Sequence, residues 1–465
     1  MKKKNILFTL LTSFFLIGCA GGETSSSNTT TNPPISEGDS SSSSEEVIDS
    51  FSFEKKEITV IEDTITTVSF TSSRKPTFES SDSTIASLSQ TGSLIAKNAG
   101  EVTIKGKVGK VEDTLKVKVI KDTSNDYEIV LDTSYLVLTL EKGNKEKTIS
   151  PILKLSGEEI ANTKFNFAST NKEILSVTEN GKISAIKEGK AGVEISTDKV
   201  SYTLTVDIYT KYVSTTTDWL NMVSDYDNST HRYALKNDID FSGITYVCNP
   251  NVVEGPDSKA FRGELNGFGH IVSNISYKNT DNFQSIFGNL NHSIIRNVSF
   301  ENVRFASATK DAYLSGLAHY AIDKDEDISR ANLIENVFLE LITPKTEAQI
   351  SGLFANAYAY RVNNVFVSLK TADGSTLDAS KTSLVNNYTG FWFPSGNGTI
   401  SSSIFYSSSK VKNTISTSSY GQTIYKDVVT TTSLMEAFTY AFNILNNNVW
   451  NVFATSYPTL KTGIN

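Results

Sequence analysis

Val272-Ser-Asn274-Ile275-Ser-Tyr277 is the first copy of a phrase that decides how this chain folds. The phrase reads apolar, any residue, Asn, apolar, any residue, apolar. It returns as Ile295-Arg-Asn297-Val298-Ser-Phe300, as Ile334-Glu-Asn336-Val337-Phe-Leu339 and as Val362-Asn-Asn364-Val365-Phe-Val367. A weaker copy, Ser401-Ser-Ser403-Ile404-Phe-Tyr406, puts Ser where the others have Asn. The Asn positions are 23, 39 and 28 residues apart. A short strand recurring with loops of uneven length predicts a solenoid, each coil laying one strand on the last. The alternating apolar residues would fill the interior that stacking buries. The Asn residues would tolerate left-handed turns and hydrogen-bond along the stack.

The 465 residues suffice for about three domains. Ser, Thr and Asn are abundant and helix-length apolar periods are rare, so an all-β chain is expected. Acidic residues outnumber basic ones, 51 against 43, for a net charge of −8, which argues against a nucleic-acid partner. No later stretch of about 18 apolar residues offers a membrane span.

The N-terminus has a basic start, Met1-Lys-Lys-Lys4, an apolar run from Ile6 to Ile17, and then Leu16-Ile17-Gly18-Cys19. The apolar run is too short for a stable span. This resembles the bacterial lipobox, which implies diacylglycerol on the Cys19 sulfur and removal of residues 1–18. The mature charge would then be −11, because three lysines leave with the signal. Residues 19–50 are rich in Ser and Thr and poor in apolar side chains, so a disordered tether is expected. It would reach ~100 Å when fully extended. Cys248 would remain as a lone, buried thiol.

From Phe51 the chain alternates as strands do. Phe78, Asp82, Ile85, Leu88, Gly92, Leu94, Ala96 and Gly100 recur 89 residues later, without a gap. Their counterparts are Phe167, Asn171, Ile174, Val177, Gly181, Ile183, Ala185 and Gly189. Ser80-Ser81-Asp82…Ile85-Ala86-Ser87-Leu88, then Gly92…Ala96…Gly100…Ile104, resembles the bacterial Ig-like group 2 domains. The resemblance implies two Ig-like β-sandwiches, over 51–121 and 126–208, of a kind common in the stalks of surface proteins. The second copy departs at Asn171 and Leu175.

Residues 215–465 carry further phrases. Tyr233-Ala-Leu-Lys-Asn-Asp238-Ile-Asp240 is followed by Phe261-Arg-Gly263-Glu-Leu-Asn266-Gly267-Phe-Gly269-His270, and later by Ser351-Gly352-Leu353-Phe354. They look like the GLUG-type β-helix repeat of bacterial surface proteins. That resemblance implies a right-handed parallel β-helix. Trp219, Leu220, Met222 and Val223, with Asp218 as the N-cap, predict a short helix that seals one end of it. Ser433-Leu-Met-Glu436 reads as a capping box that opens a helix of about a dozen residues, a second cap.

No catalytic constellation emerges. The histidines, 231, 270, 292 and 319, have no ligand spacing. Asp238 and Asp240 suit a turn better than a Ca²⁺ site, and Asp323 to Asp327 reads as a solvated loop. Arg262, Arg296, Arg304, Arg330 and Arg361 are scattered. No metal and no cofactor are expected. Tyr388, Phe391, Trp392 and Phe393, beside Pro394 and glycines, form the candidate ligand-binding stretch, through sugar stacking or a protein anchor. The reading is therefore a lipid-anchored surface protein that binds a glycan or a cell-surface protein and is not an enzyme. It would be held on the extracellular face of the membrane through Cys19. The alternatives are a polysaccharide-active enzyme and an architectural envelope protein.

Overall fold

The computed structural model describes residues 48–122, 126–224, 231–246, 259–278, 282–322, 331–357, 359–385, 397–409 and 423–463. Cys19, Cys248, Asp323 to Asp327, Tyr388, Phe391, Trp392 and Phe393 lie outside them. The described chain is all-β apart from two short helices.

The first unit packs two sheets face to face. One runs Glu57–Ile61, Val111–Ile120, Gly100–Val108, Thr77–Ser80; the other runs Ile65–Thr67, Ser93–Ala96, Ala86–Leu88. Alternate residues point inward, so Val102, Ile104, Leu115, Val117 and Leu94 make one core. The second unit repeats this order with Tyr135–Thr139, Ser201–Tyr209, Gly189–Ser196, Asn166–Ser169 against Glu146–Thr148, Lys182–Ala185, Leu175–Val177. The 89-residue repeat is also a repeat of contacts. A Cβ on Gly100 would meet Ile85 at 2.8 Å, and one on Gly189 would meet Ile174 at 2.9 Å. Asn171 is a harmless departure: its Oδ1 accepts from Glu173 N (3.0 Å) as Asp82 Oδ1 accepts from Thr84 N (2.9 Å).

One residue, Thr210, separates the second sandwich from a large sheet of parallel strands. In spatial order these include Lys211–Val213, Arg232–Leu235, Glu264–Asn266, Ile294–Arg304, Asn332–Thr343, Ala359–Asn363 with Phe366–Thr371, Asn397–Ser407 and Thr423–Thr431. A second parallel sheet joins Phe283–Gln284, Tyr313–Ser315, Gln349–Ala357, Ala318–Ile322 and Asn289–Asn291, with Thr382–Val385 beside Gln349–Ala357. Both sheets curl around a single apolar cluster that runs from Val213 to Phe405. Helix α1 (Thr216–Val223) lays Trp219, Met222 and Val223 onto that cluster. Trp219 packs its ring 5.7 Å from Phe287 and 5.9 Å from Phe300, and its Nε1 donates to Tyr246 Oη at 3.1 Å. The N-cap is Thr215; Asp218, expected there, sits three residues on and completes a capping box.

The Asn residues form two ladders. Asn297 Nδ2 donates to Asn266 Oδ1 (3.0 Å), Asn336 Nδ2 to Asn297 Oδ1 (2.7 Å) and Asn364 Nδ2 to Asn336 Oδ1 (2.5 Å). Asn297, Asn336 and Asn364 have φ near +55°, as the phrase predicts. Asn274 does not join them. Val272 pairs with Phe300, so this copy of the phrase stands half a strand downstream of the others. Asn274 instead bridges Asp240 Oδ1 (2.7 Å) and Asn302 Nδ2 (2.5 Å). In the weakest copy the left-handed residue is Ser402, one before Ser403.

Helix α2 (Leu434–Ile444) is not an end cap. It lies on the flank of the large sheet, where Ala437, Ala441 and Leu445 cover Phe338, Phe366 and Ile404. The chain then runs back across earlier strands. Tyr457 packs 5.7 Å from Phe338, and Gly463 N donates to Phe268 O at 2.8 Å. The reason is the outward residue of the phrase. It is Ser299 in one copy but Phe338 and Phe366 in the next two, and aromatic rings facing outward must be covered. Ser433 caps α2 through Glu436 N (3.2 Å), while the Glu436 carboxylate turns to Thr431 Oγ1 (2.6 Å).

Candidate functional site

Three clusters of polar or aromatic side chains stand on the outside of the parallel sheets. The first lies where the second sandwich meets them. Asp207 and Tyr209 come from the last sandwich strand, Arg232 and Glu264 from neighbouring parallel strands, and Arg296 from the strand beyond. Arg232 Nη1 donates to Asp207 Oδ1 at 2.6 Å, and its Nε donates to Glu264 Oε2 at 2.7 Å. Arg296 Nη2 reaches Glu264 Oε1 at 2.5 Å. Tyr135 and Tyr209 donate their hydroxyls to Asp207 Oδ2 at 2.5 and 3.2 Å. Asn266 Nδ2 donates to Tyr209 Oη at 2.9 Å, which ties this network to the first Asn ladder.

Asp207 is fully buried. Burial works to raise its pKa, but the Arg232 guanidinium and then the Tyr135 hydroxyl outweigh that and hold the carboxyl below the usual range. Burial, with Asp207 close by, pushes the Tyr209 hydroxyl up to about 12. The charges are matched, two guanidinium groups against two carboxylates, and they engage one another across the boundary, so this arrangement joins two bodies. Arg296 is thus not scattered. Its signal was readable: Arg232, Glu264 and Arg296 stand 32 residues apart twice over. Asp207, the group they enclose, lies in another unit and gave no such sign.

The second cluster is a row of outward carboxylates. Asp238 Oδ1 accepts from Ile271 N (3.0 Å) and faces His270 Nδ1 (3.0 Å). Asp240 Oδ1 accepts from Ser242 N (2.9 Å) and Asn274. Both therefore brace turns. Glu340 accepts from Lys370 Nζ (2.6 Å) and Asn302 N (3.0 Å). Glu301, half-buried at a bulge opposite Glu340, has its pKa raised, first by burial and then by Glu340 and Asp238. Among the described residues no group of three His, Cys, Asp or Glu side chains is placed to hold a metal ion.

The third cluster lies on the second sheet. Phe283 and Tyr313 pair in register with their rings nearly parallel, 6.2 Å apart. The His319 ring stands edge-on to both, at 4.5 and 5.2 Å, and 4.4 Å from Tyr320. His319 is 2% exposed, and burial pushes its pKa down to about 4. No sequence pattern singled it out, because the four rings come together from three strands.

Residues 49–119 match the family model of the bacterial Ig-like domain (group 2). None of the curated proteins matches the chain. Solved structures similar to it include domains 4 and 5 of the S-layer protein SbsC, at 19% identity over 34% of this chain and 96% of that one, with a TM-score of 0.18. Domains 5–6 of the same protein give 15% identity over 35% and 97%, with a TM-score of 0.20. Human protocadherin-24 EC1-2 gives 11% over 35% and 99%, with a TM-score of 0.15. No helix among the described residues is long and apolar enough to cross a membrane.

Proposed function

We propose that this is a bacterial cell-surface protein that displays a binding head on a rigid stalk. A diacylglycerol on Cys19 anchors it to the membrane, and residues 19–50 space it from the bilayer. Two Ig-like domains form the stalk, and residues 215–465 form a right-handed parallel β-helix of the GLUG type. The head binds a glycan or a cell-surface protein and does not turn its ligand over.

The observation that carries this reading is the Asp207–Arg232–Glu264–Arg296 network. It fixes the head to the second sandwich with buried, charge-assisted hydrogen bonds, as a display device needs. The sandwiches are also hooked together: Ala161 N donates to Thr59 O at 3.0 Å, and Lys118 pairs with Glu158 at 2.7 Å. The match of residues 49–119 to a bacterial Ig-like domain supports the stalk. The shared sheet order supports a second domain of that kind, and the parallel pairing of successive strands around one core supports the β-helix.

The row of Glu301, Glu340 and Asp238 favours a second reading, a polysaccharide-active enzyme, in which Glu301 with its raised pKa would be the proton donor. One experiment addresses both. The full chain is produced in a bacterial host beside Cys19→Ala, intact cells are shaved with protease, and the purified protein is applied to a glycan array with each positive glycan assayed for shortening. Release by protease, loss of membrane attachment in Cys19→Ala, and binding without shortening are expected. Protection from protease would sink the surface reading, and shortened glycans would establish the enzyme.

A further inference from the structure

We infer that the aromatic cluster around His319 is a binding site for a neutral saccharide. The inference rests on the binding reading above and names its ligand class and its place. Its ground is a set of buried polar atoms without partners. Among the described residues, His319 Nδ1, Ser315 Oγ, Asn289 Oδ1 and Asn291 Oδ1 have no hydrogen-bond partner, and their residues are 2%, 0%, 0% and 2% exposed. Such atoms are rare in folded proteins, and several on one face of one sheet call for a ligand or water.

They share that face. Leu314 and Leu290 point into the apolar interior, so Ser315, Asn289 and Asn291 point away from it, beside Tyr313 and Tyr320. His319 lies among the rings of Phe283, Tyr313 and Tyr320, which are only partly buried and reach the surface.

The chemistry of the set selects the ligand. Two amide carbonyls accept, the serine hydroxyl donates or accepts, and the imidazole does either according to its tautomer. None of the four side chains carries a charge at neutral pH, because burial keeps the imidazole unprotonated. Without Lys or Arg the set does not suit a phosphate or carboxylate, and it offers no carboxylate to a cation. A ligand rich in neutral hydroxyl donors, with an apolar C–H face for the rings, fits it. That description is a pyranose.

The test uses the purified full chain with chitobiose and lactose as probes, and inorganic phosphate as competitor. Binding is followed by saturation-transfer NMR and titration calorimetry. At least one disaccharide is expected to bind saturably and to resist phosphate. Ser315→Ala and Tyr313→Ala are each expected to weaken it by about tenfold or more. Ser315→Ala removes one oxygen and keeps the fold, so its melting curve serves as the control. If neither disaccharide binds, or if phosphate displaces the one that does, this site is wrong. Equal binding by wild type and both variants also sinks it, while leaving the surface-binding reading with a site elsewhere on the head.

Discussion

Arg232, at the start of the strand Arg232–Leu235 in the large parallel sheet, holds Asp207, a fully buried carboxylate of the second sandwich, at 2.6 Å. The same guanidinium grips Glu264 with two nitrogens, at 2.7 and 3.3 Å, and lies over the Tyr209 ring at 4.4 Å. Removing one member of a buried ion pair strands the other, which costs about 3–5 kcal/mol. Arg232→Ala should therefore lower stability by about that amount and split denaturant unfolding into two transitions, one for each side of the joint. Arg232→Lys cannot reproduce the fork and should restore less than half. A single transition shifted by under ~1 kcal/mol would show that the joint is not the lock described here.

The Asn ladder separates backbone strain from hydrogen bonding. Asn336 has φ +53°, donates to Asn297 and accepts from Asn364. Asn336→Ala loses both bonds and puts a Cβ-bearing residue without a local polar partner into the left-handed region, a cost of about 2–4 kcal/mol. Asn336→Gly relieves the backbone part alone, so it should recover about 1 kcal/mol. Equal melting temperatures for the two variants would mean that conformation contributes nothing at this turn.

His319 sets an acid-sensitive window. Its pKa is about 4 in the folded chain, against about 6.5 in the unfolded one. Below pH ~6.5 the unfolded chain takes up the proton and the folded chain does not. Stability therefore falls as the pH drops from about 6.5 to about 4, by ~3 kcal/mol in all, and this contribution is flat below that. Asp207 has the opposite history. Its folded pKa is depressed, so its stabilisation is intact above the unfolded carboxylate range and is lost only as the pH falls below it. Urea titrations of His319→Leu at pH 7, 5.5 and 4 should lack the slope that wild type shows. A slope that survives the substitution would assign it to other groups.

The C-terminal segment is a strap on a finished sheet. Ala441 is fully buried in α2 against the cluster of Phe338, Phe366 and Ile404. Ala441→Glu puts a carboxylate into that contact, at a cost of about 3 kcal/mol or more. Amide exchange of residues 434–463 should accelerate to that of an open segment, while Ile294–Arg304 stays protected. Loss of protection in both would show that the sheet depends on the strap.

Local physics made much of this chain legible in its sequence. Period-two alternation marked the strands, the 89-residue repeat of Gly92 and Gly100 marked two sandwiches, and Asn297, Asn336 and Asn364 announced left-handed turns that stack. Those features depend on a residue and its near neighbours, so a string of letters carries them.

What only the tertiary structure decided were the pairings across coils and between units. Asn274 carries the same phrase as Asn297, yet stands half a strand away, because register is fixed by which interior side chains meet, here Val272 with Phe300. Phe338 and Phe366 face outward, and this sent α2 to the flank of the sheet. Asp207 and Arg232 are 25 residues apart in adjoining units, and Asn289, Ser315 and His319 lie on three strands. Such clusters follow from where the fold brings distant strands together, and no spacing along the chain encodes that directly.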